Sequence, residues 1–431
     1  MLDIKLIREN PEVIRRNLRV RFQEDRLPIL EEIIRLDSDW RRGQDRLNQL
    51  RHDKNLLDRK INEIRAAGKD PSKEIDASRE LDRTIRELES DVRSHRSALD
   101  QHMLRLPNIA HESAPVGKSE LDNVEVRSWG GKPKFPTPPK DHIELCLELD
   151  LVDLERAASV SGARWYYLKN EAVLLQMALM RFAMDRLCEK GFIPIYPPAM
   201  IRERIMQGAG YLPEGRDDIY KIEGEDLFVV GTSEQALAGL HENEILDESE
   251  LPKRYAGISP CFRTEAGSHG RDTKGIFRVH QFEKVEMFVF CLPEQSWEEH
   301  ERMIAIAEEL VRDLNLPYRV VNACTSELGV TAAKKYDLEL WLPGQGRYRE
   351  AVSCSNCTDY QARRLGIRCR EGPGKPTRFV HTLNSTAMAS SRTLIAIIEN
   401  YQTADGKVVV PQALRPYLPK IEAIQRGDRR S

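Results

Sequence analysis

From about Leu27 to Leu106 the chain is polar and arginine-rich, and its apolar residues recur at alternating steps of three and four. Leu47, Leu50, Leu57, Ile61 and Ile64 form one stripe, and Ile75, Leu81, Ile85, Leu88, Val92, Leu99 and Leu106 form a second. Gly68-Lys-Asp-Pro71 breaks the pattern between them, as glycine and proline do at helix ends. Two long helices and a short turn are predicted. Each stripe is narrow and leaves water only against a partner, so an antiparallel helical hairpin packed as a coiled coil is expected. At about 1.5 Å per residue, helices of roughly 35 residues would each reach about 50 Å. Arg41, Arg42, Arg46, Arg51, Arg59, Arg65, Arg79, Arg83, Arg86, Arg93 and Arg96 fall outside the stripes and permit RNA contact, although acidic neighbours offset them. Periodicity alone is equally compatible with a coiled coil used only for dimerisation.

Between Pro107 and Pro139 the composition shifts to proline and glycine, most densely in Trp129-Gly-Gly-Lys-Pro-Lys-Phe-Pro-Thr-Pro-Pro139. This stretch is expected to link two domains. The boundaries are an N-terminal domain over 1–110 with its hairpin at about 27–106, a linker over 111–140 and a second domain over 141–431. Beyond the linker a helical stripe over Ala172 to Cys188 is followed by short strand-like runs: Leu227-Phe-Val-Val230, Val285-Glu-Met-Phe-Val-Phe290, Tyr318-Arg-Val-Val321 and Asp337-Leu-Glu-Leu-Trp341. Strands that both alternate with helices and follow one another favour an α+β domain, its mixed or antiparallel sheet flanked by helices.

With 431 residues, 40% hydrophobic, the chain is long enough for two or three cores. Its 66 Lys plus Arg nearly balance 69 Asp plus Glu, so any polyanion must be held by local patches rather than by net charge. The charged N-terminus lacks a signal peptide's apolar core, and no apolar run is long enough to span a bilayer. Eight scattered cysteines suit reduced thiols, so a soluble protein of a reducing compartment, the cytoplasm, is expected. Neither a Walker A nor a Rossmann glycine fingerprint is present, so another architecture must hold any nucleotide.

The most informative segment runs from Tyr255 to Phe288. A strand carrying Arg263 and Glu265 is predicted to enter a polar loop with Arg271 and Lys274, and a second strand to return with Phe282 and Glu286. Forked guanidinium donors match phosphate oxygens and an aromatic face accepts a purine, so this grouping suits a nucleotide. Taken singly, such an arginine is more often a surface ion pair and such a phenylalanine more often core. The whole string resembles motif 2 of the class II aminoacyl-tRNA synthetases, specifically the seryl-tRNA synthetase family. Glu189-Lys-Gly-Phe-Ile-Pro-Ile-Tyr-Pro-Pro198 resembles motif 1, and Leu383-Asn-Ser-Thr-Ala-Met-Ala-Ser-Ser-Arg-Thr-Leu394 with Ile398-Glu-Asn-Tyr-Gln402 resembles motif 3. The family's Thr-x-Glu and acid-x-x-Ser elements are matched by Thr232-Ser-Glu234 and Glu350-Ala-Val-Ser353.

This resemblance implies an N-terminal tRNA-gripping hairpin followed by a class II catalytic domain built on an antiparallel sheet. It implies ATP-dependent activation of L-serine to seryl-adenylate and transfer to the 3' end of tRNA(Ser), with tRNA(Sec) as a further candidate. Arg263, Glu350 and Arg392 are the catalytic candidates. ATP would be held by Arg263, Thr264, Glu265, Val279, Phe282, Glu350, Ala351, Val352, Ser353 and Arg392, with Arg392 opposite the stacking Phe282. Serine would be held by Thr232, Ser233, Glu234, Arg263, Glu286, Asn384 and Thr386. Glu350 and Ser353 would ligate Mg²⁺ on the ATP phosphates, and motif 1 would build a homodimer. Thr386 departs from bacterial members, which commonly carry serine there, and agrees with eukaryotic ones; the hydroxyl is retained.

Cys354-Ser-Asn-Cys357, with Cys369 downstream, has the spacing that begins a zinc site, but a second cysteine pair is missing and no zinc is expected. Two other activities share the motifs: an enzyme that passes its aminoacyl-adenylate to a carrier protein, and a non-catalytic RNA-binding paralogue. The long arm disfavours the first, and the complete set of ATP-contacting candidates disfavours the second.

Overall fold

The computed structural model describes residues 1–266 and 275–426, so Arg271 and Lys274 lie outside the described residues. The chain divides into two compact units, one made of Leu2–Arg19 and Gln23–Leu106 and the other of Met1, Val20–Phe22 and the chain from Pro107 onward.

In the first unit, short helices Ile4–Glu9 and Pro11–Val20 precede two long ones, Leu27–Ala66 and Ser72–Met103. Leu47, Leu50 and Ile85 are buried between the long helices, with Leu81 and Leu88 packed against them. At Gly43 an added methyl would come 2.8 Å from Val92, so glycine is what lets the helices close there. Ion pairs Arg51–Glu89 (2.7 Å), Lys60–Glu74 (3.1 Å) and Lys54–Asp82 (3.4 Å) cross the hairpin. Being exposed they contribute little stability, so the apolar seam holds the two helices together. Arg41, Arg42, Arg51, Arg79, Arg83 and Arg96 are tied to carboxylates. Arg46, Arg59, Arg65, Arg86 and Arg93 are exposed, and none has an ion pair among the described residues.

The second unit is built on an eight-stranded sheet. Its strands in chain order are β1 (Val124–Trp129), β2 (Ile193–Ile195), β3 (Lys253–Phe262), β4 (Gln281–Cys291), β5 (Tyr318–Asn322), β6 (Lys334–Leu342), β7 (Arg347–Asn356) and β8 (His381–Ala389). Across the sheet the order is β1-β5-β6-β7-β8-β4-β3-β2, antiparallel throughout except for the parallel β2–β3 edge. Strand β1 lies within the stretch expected to be a linker. Its outward Val124 and Val126 are exposed and its register slips between Glu125 and Arg127, so the alternation that marks a half-buried strand is weak at this sheet edge.

One face of the sheet is core. Val285, Met287 and Val289 of β4 and Leu338 and Leu340 of β6 are buried with side chains of the Glu171–Glu189, Ser296–Asp313 and Ser390–Asn400 helices, among them Phe182, Met303 and Ile395. The alternate residues of β4 face the other way, and the chemistry gathers there.

Candidate active site

Strands alternate faces with a period of two, so Phe282, Lys284 and Glu286 of β4 share one face. On β7 the same rule would put Glu350 and Ser353, three apart, on opposite faces. A bulge resolves this. Ser353 pairs with Asp337, Val352 with Leu338, and Glu350 with Glu339, leaving Ala351 as the extra residue. Glu350 and Ser353 therefore open on the same side, while Val352 goes into the core. On β8 Asn384 and Thr386, two apart, share the face of Glu286, and a second bulge at Ala387 delivers Ala389 beside Lys284, at the start of the helix that carries Arg392.

These residues line a cavity of about 620 Å³. Arg263, Glu265, Val279, Phe282, Glu234, Glu286, Glu350, Ala351, Ser353, Asn384, Thr386 and Arg392 all reach it. Four of the expected site residues do not line it. Thr232 caps the Ser233–Ala238 helix, its hydroxyl accepting from the Glu234 N–H at 3.2 Å. Ser233 donates to the Gly257 carbonyl at 3.1 Å, which ties that helix to β3. Thr264 donates its hydroxyl to the Asp217 carbonyl, and Val352 is core. These four support the wall behind the side chains that reach the cavity.

Strand β3 ends at Phe262, before Arg263 and Glu265, which were expected to lie within it. The Arg263 N–H still bonds the His280 carbonyl (3.0 Å), but the Thr264 N–H turns to the Asp218 carbonyl (3.1 Å). Glu265 then adopts φ +53°, a left-handed conformation that ends any strand.

The cavity has three chemically distinct walls. On the aromatic wall the Arg263 guanidinium stands 5.3 Å over Phe282, while Arg392 stands 5.1 Å and Arg349 3.6 Å over Phe277. Arg392 also donates to the Glu350 carbonyl at 2.8 Å and lies 3.3 Å from its carboxylate. The ring directly beneath Arg392 is thus Phe277, and Phe282 lies beneath Arg263.

The acidic wall holds two buried carboxylates. Glu234 accepts hydrogen bonds from the Tyr211 hydroxyl (2.7 Å), the Gln361 amide (3.0 Å) and the Asn384 amide (3.1 Å). Burial, reinforced by the nearby charge of Glu286, pushes Glu234 up to about 7 despite those bonds. Glu286 is paired with Lys284 at 2.5 Å and accepts from Thr386 at 3.3 Å. On the third wall burial raises Glu350, but Arg392, Lys335 and Arg263 outweigh it and hold the group below its ordinary range.

Several contributors carried no signal that singled them out. Tyr211 comes from a segment without a motif, Gln361 was not singled out within the stretch from Cys354 to Arg364 that resembles a segment of the seryl enzymes, and Lys335 sits on a strand that looks like ordinary sheet. Lys284 was legible in principle, since it stands midway between Phe282 and Glu286 on one strand face. The cysteines of the Cys354-Ser-Asn-Cys357 segment are buried free thiols, and Cys357 accepts from the Asn384 amide at 3.5 Å.

Residues 1–110 match the seryl-tRNA synthetase N-terminal domain, and residues 219–401 match the tRNA synthetase class II core domain (G, H, P, S and T). The serine–tRNA ligase of Thermococcus sibiricus is 50% identical over 437 aligned positions, covering 97% of this chain and 96% of its own. That of Pyrococcus horikoshii is likewise 50% identical, with the same coverage. The crystal structure of seryl-tRNA synthetase from Pyrococcus horikoshii complexed with ATP superposes with a TM-score of 0.95 at 48% identity, covering 99% of this chain and all (100%) of that one. The cytoplasmic serine–tRNA ligase of Naegleria fowleri, in complex with AMP, has a TM-score of 0.89 at 36% identity and covers 99% of both chains. Matched by both domain types and by relatives of this identity along nearly its whole length, the chain belongs to the seryl-tRNA synthetase family.

Proposed function

We infer that this protein is a serine–tRNA ligase that activates L-serine with ATP and transfers the seryl group to tRNA(Ser). One observation carries the reading: Phe282 and Glu286 of β4 and Arg392, from a distant stretch of sequence, open on a single cavity. An aromatic face for a purine, cations for phosphate and a buried acid for an alcohol are the parts the reaction needs.

In the first step the serine carboxylate attacks the α-phosphorus, and pyrophosphate leaves with the electron pair of the broken P–O bond. Two anions must meet, so the protein's main contributions are charge neutralisation and alignment. Arg263 stands over Phe282, with its Nε 3.4 Å from the Gly231 carbonyl, and offers its remaining guanidinium donors to the phosphate beside a stacked purine. Arg392 is braced by Glu350 on the opposite strand. Glu265 and the Val279 backbone position the nucleotide. In the second step a hydroxyl of the tRNA's terminal adenosine attacks the seryl carbonyl carbon, and AMP leaves. Neither step needs a nucleophilic side chain.

Glu350 and Ser353 offer two protein oxygens on one face. That suits Mg²⁺, which takes few protein ligands and completes its octahedron with phosphate oxygens and water. Bound there, the ion would draw charge from the phosphates.

Serine selection is a hydroxyl problem. Glu286 accepts the substrate hydroxyl beside Thr386, and alanine would leave that buried acid short of a partner. Glu234, steadied by Thr232 and Ser233 behind it, faces the substrate ammonium. The arm grips tRNA by shape and backbone, and Arg46, Arg59, Arg65, Arg86 and Arg93 are the candidates for phosphate contact. The same arm would admit tRNA(Sec).

Ile193 and Tyr196 of motif 1 are exposed, as are Met177 on the helix before it and Met200 just after it, an apolar surface suited to a second copy of the chain. Among the described residues no helix is long and apolar enough to cross a membrane, and the cytoplasm is the proposed compartment. The test is ATP–pyrophosphate exchange with each amino acid in turn, then charging of tRNA(Ser) and tRNA(Sec). Exchange that depends on serine alone is expected, whereas exchange driven by another amino acid, or none, would refute the assignment.

A further inference from the structure

The third wall of the cavity holds a cation that no motif predicted. Lys335 lines the cavity with Glu327, Glu350 and Ser353. It is anchored from behind by Asp337, two residues along β6 on the same face, at 3.0 Å. Asp337 is itself 5% exposed, does not line the cavity and, among the described residues, leaves Oδ1 without a hydrogen bond. The ammonium is thus held at the wall by a carboxylate set deeper than itself, which fixes where the charge points. Burial opposes that charge, but Asp337, Glu350 and Glu327 outweigh it, so Lys335 remains an ammonium.

The other cations of the cavity have work that the geometry already defines. Lys284 is paired with Glu286 in the amino-acid corner, Arg278 lies 3.4 Å from Glu265, and Arg263 and Arg392 stand over the two phenylalanine rings. With the purine on the aromatic wall and serine at the acidic wall, the part of ATP left for the third wall is the chain of phosphates beyond the α-position. We propose that Lys335 is a contact residue for the β- and γ-phosphates of ATP, and so for the departing pyrophosphate, held at the cavity wall by Asp337. The inference deepens the ATP-dependent reading of the site and rests on it.

A lysine in this role distinguishes nucleotides by their tails. AMP has no β- or γ-phosphate, so its affinity should not depend on Lys335. A charge-assisted contact to phosphate should strengthen ATP binding by about tenfold or more. The experiment is calorimetric titration of the full chain with ATP and with AMP at fixed Mg²⁺, comparing wild type with Lys335→Met and Lys335→Arg. Lys335→Met should lose about tenfold in ATP affinity with AMP changed less than about twofold, and Lys335→Arg should stay within about threefold of wild type for both. Because Lys335→Met leaves Asp337 unpaired and risks misfolding, the double variant Lys335→Met/Asp337→Asn is measured alongside, with the same selective loss expected.

Equal weakening of ATP and AMP, or unchanged ATP affinity, would overturn the proposal. Serine-dependent pyrophosphate exchange by the wild type reports separately on the activity itself. A wild type that binds ATP without activating serine would refute the assigned reaction, while the ATP-to-AMP comparison would still decide the role of Lys335.

Discussion

Glu234→Gln is the most informative single change at the acidic wall of the cavity, where serine is proposed to bind. In the free protein Glu234 is pushed from the ordinary 4.5 up to about 7, chiefly by burial and then by Glu286. A shift of that size favours the neutral acid by about 3 kcal/mol. Because the folded value is raised, the group's contribution to stability is full below its unfolded value and is lost as pH rises from about 4.5 through about 7. The substrate ammonium reverses this preference, since a cation beside Glu234 favours the carboxylate. Binding a seryl-adenylate analogue should therefore expel a proton from Glu234, about 0.9 per site at pH 6 and about 0.5 at pH 7.

Glutamine keeps the shape but cannot ionise. It also turns an NH₂ group toward donors that now lie within hydrogen-bonding distance, Tyr211 at 2.7 Å, Gln361 at 3.0 Å and Asn384 at 3.1 Å. Leaving one of these unsatisfied costs about 1–3 kcal/mol. The assay is calorimetry in two buffers of different ionisation enthalpy at each pH, subtracting variant from wild type so that the ligand's own amino group cancels. The expected difference is the proton count above, larger at pH 6 than at pH 7. A difference of zero, or one that does not change with pH, would refute the assignment of Glu234 as the acid facing the ammonium.

Further outcomes follow from the same geometry. Glu286→Ala should abolish serine-dependent pyrophosphate exchange while keeping much of the ATP affinity, although it also strands the Lys284 ammonium 2.5 Å away; unchanged exchange would reject its role in selecting serine. Deleting Leu27 to Leu106 should spare adenylation and cripple tRNA charging, and charge reversal at Arg59, Arg86 and Arg93 should raise KM for tRNA without altering exchange; loss of both activities would make the arm structural. Gly257→Ala puts a methyl 2.7 Å from Leu237 and 2.9 Å from the Ser233 hydroxyl, so the helix carrying Glu234 must shift. A stability loss of about 1–3 kcal/mol is expected in urea titrations, together with a raised KM for serine.

The sequence by itself determined the hairpin, because a heptad-like stripe broken once by Gly68 and Pro71 has few ways to leave water. It also picked out most of the expected side chains that line the cavity, because their identities and order along the chain carry the family's motifs. What it did not hold was the face on which each residue emerges. Glu350 and Ser353 are an odd number of positions apart and meet only because a bulge at Ala351 restores the face, a backbone event that β7 and β6 settle between them. Thr232, Ser233, Thr264 and Val352 belong to the same motifs yet point into caps, ties and core. Tyr211 and Lys335 reach the cavity from segments with no chemical signature, and Gln361 supports Glu234 from behind, since a side chain's neighbours in space are set by register and packing, not by its neighbours along the chain. The raised pKa of Glu234 has the same origin: only the assembled wall removes its water and brings Glu286 close enough to matter.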